Sequence, residues 1–173
     1  MEPNTRFARE MARKVLKDYS LSDIPTDLTK IFEGLNLKYV ELNDADEIDG
    51  AILAIEGKPA IAVINKARPL HRQRFTLAHE LGHIFLQHSK RDIYDPEEVR
   101  EQDLFQGKKK PPAEIEADTF ASELLVPYDQ LKKFEGNLSD VDKLARTFQV
   151  SNQAMTLAIM NYWKYGVKKK KKA

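Results

Sequence analysis

The sequence predicts an α+β fold, with helices at the N-terminus, a small group of β-strands in the middle and a helical C-terminal part. Three observations support this fold class. Apolar residues recur at helical spacing over residues 6–19, strand-like runs rich in Ile, Val and Ala follow, and helical patterns return in the second half. With 42% hydrophobic and 32% charged residues in a chain of 173, the composition is that of a globular protein.

Two helices are predicted near the N-terminus. The first covers residues 6–19 and carries its apolar side chains on one stripe. The second is short, because Pro25 and Asp27 are typical of a helix start and Gly34 of a helix end.

Three strands are predicted next, over residues 37–42, 49–55 and 60–65. Residues 56–59, between the last two strands, read Glu-Gly-Lys-Pro and are typical of a turn, so these two strands should form a β-hairpin. A peptide could add as a further strand to an exposed edge of this hairpin, and the strand over 60–65 is the first candidate; the alternative is that this strand is internal or covered.

Helical patterns return over residues 70–87 and 112–125. Residues 89–112 are mostly charged and lack apolar periodicity, which predicts a long loop that acts as a lid, a partner contact or a plain solvent loop. Pro127 opens another turn, and two final helices are expected after Gly136.

Composition excludes several classes of protein. The chain has no cysteine, so a disulfide scaffold and a thiolate metal site are ruled out. No apolar run approaches the roughly 20 residues that a membrane helix needs. Residues 1–6 lead into no apolar core, so no secretory signal is predicted and we expect a cytoplasmic protein.

The charge of the chain is unevenly distributed. Net charge is +1, but five lysines lie at residues 168–172, and the remainder has 23 basic against 27 acidic side chains. This balance argues against direct nucleic-acid binding by the folded body. We expect residues 168–173 to form a disordered lysine tail, because blocks of like charge repel each other.

The most informative motif is His-Glu-Leu-Gly-His at residues 79–83. Histidines four residues apart on a helix are separated by about 40° around its axis, so both His79 and His83 can face one ion. Imidazole nitrogen is a good ligand for Zn²⁺. Glu80 lies about 100° around the helix, where it can hold a metal-bound water as a general base.

A catalytic zinc site also needs a third protein ligand, and the acidic residues of a second predicted helix can provide one. Glu114 and Asp118 share one face, so Glu114 can bind the metal while Asp118 accepts the N–H of a ligating histidine. If this helix begins later, Glu116 becomes the ligand instead. The donor set also leaves Mn²⁺ or another divalent ion open.

Three stretches of the sequence resemble the ImmA/IrrE family of gluzincin-type metallopeptidases. They are Arg74–His83, Glu114–Ala121 and Leu124–Pro127, the last with valine before the proline, where the family more often has methionine. The order of elements over residues 6–165 is similar as well.

The resemblance implies a three-stranded antiparallel sheet packed on the metal-binding helix. It implies zinc ligands at His79, His83 and Glu114, with Glu80 as general base. It also implies a protein substrate, since family members cleave helix-turn-helix repressors and so release stress-response, prophage or mobile-element genes.

We expect a zinc metallopeptidase domain over residues 1–135, with a helical segment over residues 136–167 packed on it. A donor besides the metal would help to stabilise the tetrahedral intermediate of peptide hydrolysis. Candidates by proximity in sequence are His71, Arg72, His88 and Tyr94. His88 lies about 180° around the helix from His79, so a regular helix would keep it off the metal face.

Residues 144–155 also favour a different function, because they resemble a helix-turn-helix with Ser151 as the N-cap of its second helix. The protein could then be a DNA- or partner-binding regulator in which the metal site is structural or inactive. Against this, residues 151–162 contain no Lys or Arg, although phosphate contacts dominate DNA affinity. We favour helices that pack on the core through Leu144, Phe148, Met155 and Ile159.

Overall fold

The computed structural model describes residues 2–43, 49–53, 61–88 and 110–170. These residues form an α+β fold, as predicted, with seven α-helices, one 3-10 segment and one three-stranded sheet. The predicted loop over 89–112 falls almost entirely outside the described residues.

The predicted elements are present, with ends shifted by a few residues. The helices are α1 (Thr5–Asp18), α2 (Thr29–Gly34), α3 (Leu70–Phe85), α4 (Pro112–Leu125), α5 (Tyr128–Leu131), α6 (Val141–Phe148) and α7 (Asn152–Lys170). The strands are β1 (Lys38–Leu42), β2 (Gly50–Leu53) and β3 (Ile61–Asn65). A 3-10 segment, Lys132–Asn137, follows α5 directly.

Helix α2 begins later than its predicted start signals. The carboxylate of Asp27 accepts hydrogen bonds from both the backbone N–H and the hydroxyl of Thr29, at 3.0 and 2.6 Å. Asp27 therefore forms a turn in front of the helix, and helical backbone starts at Thr29.

The sheet is mixed, and the prediction of a purely antiparallel sheet is wrong. Strands β2 and β3 pair antiparallel, as the predicted hairpin requires, but β1 pairs with β3 in parallel, with Lys38 opposite Ile61. The order is β1-β3-β2, so β3 inserts between two strands that run in opposite directions. A simple meander would have kept β1 beside β2 and made every pair antiparallel.

This order also corrects the expected substrate edge. Strand β3 is central, and Ala62 to Asn65 are all buried, so it has no open edge for an added peptide. In the described part of the sheet, the open edges belong to β1 and β2. Of these, β2 is the strand that packs beside α3.

Helix α3 packs closely against α4, and a glycine permits the contact. A Cβ atom placed on Gly82 would lie 3.1 Å from the Cα of Ala117 and 3.2 Å from its carbonyl oxygen. Since Gly82 lies inside a helix, where glycine costs about 1 kcal/mol relative to alanine, the close crossing accounts for its presence. Helix α1 also packs on α4.

The C-terminal helices pack into the same core as the rest of the chain. Leu144, Phe148 and Met155 are buried in one continuous apolar cluster with residues of α1, α3 and α4. The hydroxyl of Ser151 accepts a hydrogen bond from the N–H of Ala154 at 3.1 Å, as expected of an N-cap. Helix α7 includes Lys168–Lys170, the first lysines of the predicted tail.

None of the helices in the described ranges is long and apolar enough to cross a membrane. The division into a domain over 1–135 and a helical segment over 136–167 stays a prediction.

Candidate metal centre

Helix α3 carries His79, Glu80 and His83 in its second half. Its buried face holds Leu77, Ala78 and Leu81 against the sheet and α4, and this packing fixes the rotation of the helix. The two histidines consequently point into the crossing of α3 and α4.

Helix α4 brings the third donor. It begins with Pro112 in its first turn, after Pro111, so Glu114 also lies in the first turn and faces α3. Buried Ala113 and Ala117 on the same helix allow close approach between the two helices.

The side chains of three residues converge at this crossing. The Nε2 atoms of His79 and His83 are 3.0 Å apart, and each lies 3.2 Å from a different carboxylate oxygen of Glu114. Ligands at the corners of a tetrahedral zinc site with bonds of about 2.0–2.1 Å are roughly 3.3–3.4 Å apart. The spacing of these side-chain atoms is close to the spacing that the ligands of one bound ion require.

The site is shielded but accessible. The side chain of His83 is 5% exposed, whereas those of His79 and Glu114 are 15% and 16% exposed. A metal held by the three residues would therefore have one side turned toward solvent, where a water or substrate could bind.

A carboxylate orients His79 from the side opposite Glu114. The Nδ1 atom of His79 lies 2.9 Å from Oδ1 of Asp118, the arrangement expected of an outer carboxylate on a metal-binding histidine. Lys110 forms an ion pair with the other carboxylate oxygen of Asp118. Sequence reasoning missed Lys110, because nothing in its local sequence indicates which carboxylate it contacts.

Electrostatics within the cluster are strong. Burial lowers the pKa of His79, but hydrogen bonds to Asp118 and Glu114 outweigh it and raise this pKa from 6.5 to about 9. Burial raises the pKa of Glu114, yet the two histidines dominate and hold it well below its ordinary value. Glu114 therefore stays ionised, as a ligand must.

Glu80 lies next to the cluster without joining it. Burial is the largest influence on its carboxyl and raises its pKa, against the opposing effects of His79 and His83. The carboxylate also accepts a hydrogen bond from the backbone N–H of Ile52 on β2. Glu80 thus lies between the donor cluster and β2, which forms one of the two edges of the described sheet.

His88 lies closer to the donor cluster than a regular helix would place it. Helix α3 ends at Phe85, and Gln87 adopts a left-handed conformation with φ 56°, which turns the chain back. The Nδ1 atom of His88 consequently lies 2.9 Å from Nδ1 of His83. The regular-helix argument fails because the helix is not regular there.

Glu116 lies outside the donor cluster. One carboxylate oxygen is 3.0 Å from Nε2 of His88, and the other accepts a hydrogen bond from the backbone N–H of Asn4 at 2.6 Å. The structure therefore brings Glu114 to the two histidines of α3, while Glu116 reaches His88 instead.

The remaining sequence candidates are not in contact with the cluster or are not described. His71 is exposed on the first turn of α3. Arg72 forms an ion pair with Asp49, at 2.6 Å, near the start of β2. Tyr94 lies outside the described residues, so its role stays a prediction.

An α+β fold with two histidines and a glutamate converging beside a second glutamate is that of a metallopeptidase-like protein. The family model for peptidase M78, described as the IrrE N-terminal-like domain, matches residues 39–160. The chain belongs to this family. The matched residues include all three donors and Glu80.

One solved structure with a similar fold is a Mycobacterium tuberculosis transcriptional regulator, at a TM-score of 0.59 and 14% sequence identity. The match covers 87% of this chain and 45% of that chain, so this chain spans less than half the length of the neighbour. At this identity the likeness concerns the fold. No curated protein matches the sequence.

Proposed function

We propose that this protein is a zinc-dependent endopeptidase that cleaves a protein regulator, with a helix-turn-helix repressor as the substrate. Cleavage would release stress-response or mobile-element genes. The observation that carries the proposal is the convergence of His79, His83 and Glu114 at the spacing of a three-ligand metal site. Family membership supports peptidase chemistry, and the name of the structural neighbour supports a link to transcription.

Zinc is the proposed ion because two imidazoles and one carboxylate are a known ligand set for catalytic zinc, although the same donors also suit Mn²⁺. A bound ion of this kind supplies Lewis acidity toward the scissile carbonyl and lowers the pKa of a bound water. His79, His83 and Glu114 would hold it, and Asp118 would keep His79 in the tautomer whose Nε2 is free to bind.

Glu80 is the proposed general base. Its carboxylate would accept a proton from the attacking water and later deliver it to the amine of the leaving peptide. A carboxyl whose pKa is raised by burial is better matched to both steps than an ordinary surface glutamate.

The substrate is proposed to lie along the open edge of β2. This strand packs beside α3, and the N–H of Ile52 on it reaches Glu80, so an added peptide strand would pass close to the general base. N-methylation at alternate amides of a substrate peptide should raise KM. Only every second amide of an added strand would donate to β2, so an equal rise in KM from N-methylation at neighbouring amides would argue against strand pairing. An unchanged KM for every N-methylated peptide would argue against it as well.

The first test is metal content by mass spectrometry, after zinc loading and desalting. We expect about one zinc per wild-type chain and loss of stoichiometric zinc in His79→Ala and Glu114→Ala. His71→Ala is the matched control, since it removes an exposed histidine from the same helix. A wild-type chain that retains no metal would refute the proposal.

The second test is cleavage of a purified helix-turn-helix repressor from the same organism. We expect a single cut that requires zinc and is absent in Glu80→Gln. Cleavage by Glu80→Gln at the wild-type rate would count against Glu80 as the general base, whereas cleavage that persists after zinc is removed would point to a contaminating protease.

A regulator that binds DNA through α6 and α7 is the second candidate. The neighbour's name and the cap at Ser151 favour it. Leu144, Phe148 and Met155 are used in the core, however, and residues 151–162 carry no Lys or Arg for phosphate contacts. A salt-dependent shift of labelled DNA would support this candidate, and no binding at low salt would remove it.

A further inference from the structure

We propose that His88 is a positioning residue for the ligand His83, and that Glu116 acts on the metal centre only through His88. This inference rests on the metal centre proposed above. It assigns a role to His88 and Glu116, which lie next to the three donor residues but are not donors themselves.

The contacts form an unbranched chain that leads away from the donor cluster. Nδ1 of His83 lies 2.9 Å from Nδ1 of His88, and Nε2 of His88 lies 3.0 Å from Oε2 of Glu116. The other oxygen of Glu116 accepts the backbone N–H of Asn4. Each link therefore joins one atom of a residue to one atom of the next.

The protons of this chain can be ordered in one consistent way. When Nε2 of His83 binds a metal, its Nδ1 carries the ring proton and must donate it. Nδ1 of His88 is the acceptor, so Nε2 of His88 carries the second proton and donates it to Glu116. His88 thus selects the tautomer of His83 that leaves Nε2 available to the ion.

The backbone holds His88 in place. The N–H of His88 donates to the carbonyl of His83 at 3.0 Å, and the N–H of Gln87 donates to that of Ile84 at 3.1 Å. These two bonds, with the left-handed Gln87, form a Schellman motif, in which the residue after the turn commonly packs on the residue five positions earlier. Here that packing contact is the pair of imidazole rings, whose centroids are 5.0 Å apart.

Burial favours an orienting role over a solvent contact. The side chain of His88 is 8% exposed, and that of Glu116 is 18% exposed. Hydrogen bonds shielded from water restrict ring rotation more than exposed ones do. The two ligating histidines are therefore oriented differently, His79 by Asp118 directly and His83 through a second histidine.

The test is a double-mutant cycle on zinc affinity, measured by competition with a chromophoric chelator. The variants are His88→Phe, Glu116→Gln and the double variant. Phenylalanine keeps the ring without its nitrogens, and an amide at 116 can accept from only one of the two N–H groups that face it. We expect each single variant to bind zinc about 10–100-fold more weakly, with the double variant no weaker than His88→Phe.

Two further measurements separate positioning from folding. The visible absorption spectrum of the Co²⁺-loaded protein should change in His88→Phe, because the orientation of a ligand changes. His88→Gln should recover part of the lost affinity, since its amide can both accept and donate. Thermal unfolding of the metal-free variants shows whether each one folds.

The outcomes are distinct. Wild-type zinc affinity and an unchanged Co²⁺ spectrum in folded His88→Phe, or zinc affinity in folded His88→Gln no better than in His88→Phe, would overturn the inference and leave the metal centre intact. Additive losses in the double variant would overturn the claim that Glu116 acts through His88. A wild-type chain that binds no zinc would overturn the proposed function, and this inference with it.

Discussion

The Nδ1 atom of His79 lies 2.9 Å from the carboxylate of Asp118, while Nε2 of the same ring lies 3.2 Å from Glu114. One imidazole is thus held between two carboxylates. Because both favour the protonated ring, they raise the pKa of His79 to about 9. A metal ion must displace that proton, which makes binding depend on pH.

The first prediction is that zinc binds more tightly as pH rises. Below about pH 9, each unit of pH should improve apparent affinity roughly tenfold, since one proton leaves His79 for each ion bound. Competition titrations at about pH 7 and pH 8 measure this. Asp118→Asn should flatten the dependence, and equal affinity at the two pH values in wild type would contradict the prediction.

The second prediction concerns the metal-free protein. A pKa raised from 6.5 to about 9 on folding means that the folded state binds a proton which the unfolded state releases. The stabilisation is fully present below pH 6.5 and is lost as pH rises through about 9. Urea unfolding of the metal-free protein should show a free energy of unfolding that falls as pH rises across this range. In His79→Gln the part of this fall that comes from His79 should be absent.

The third prediction separates catalysis from metal binding. Glu80→Gln removes the general base but none of the three donors, so zinc content should stay near one per chain. Cleavage should fall by about 10²–10⁴-fold, the usual contribution of a general base. A variant that keeps zinc and cleaves at the wild-type rate would exclude Glu80 from this role.

Much of the site was predictable because its geometry is local. His79 and His83 share a helix face by their spacing of four residues, and so do Glu114 and Asp118. The predicted contact of Asp118 with a histidine is present for the same reason.

The rest depends on features that the local sequence does not carry. The parallel pairing of β1 follows from the insertion of β3 between its neighbours, which no strand pattern indicates. His88 returns to His83 because Gln87 is left-handed, and glycine, the usual signal for that conformation, is absent there.

The fourth prediction tests the crossing of α3 and α4. Gly82→Ala places a methyl group 3.1–3.2 Å from backbone atoms of Ala117, which must move. Overpacking costs about 1–3 kcal/mol, and better helix propensity recovers about 1 kcal/mol. We expect a net loss of unfolding free energy and weaker zinc binding, because His83 and Glu114 lie on the two separated helices.

Gly136→Ala is the matched control for this crossing, since nothing lies within 4 Å of its added methyl group. It should leave zinc affinity unchanged. If Gly82→Ala behaved in the same way in urea unfolding and in chelator competition, close helix contact would not be needed for the site.

The fifth prediction tests whether the C-terminal helices fold with the metal centre. Phe148 is fully buried in the common core and packs edge-on against Phe134, with ring centroids 5.7 Å apart. Phe148→Ala should therefore cost about 3–5 kcal/mol of unfolding free energy. Met160→Ala, at a site 61% exposed in the same segment, should change it by less than about 0.5 kcal/mol.

Urea unfolding followed by far-UV circular dichroism and by the fluorescence of Trp163 measures both variants. Coincident transitions, with zinc raising the midpoint of both signals, are expected because one core joins α6 and α7 to α3 and α4. A fluorescence transition that zinc does not move would mean that α7 unfolds independently of the metal centre. The helical segment would then be a separate unit rather than part of the framework that positions His79, His83 and Glu114.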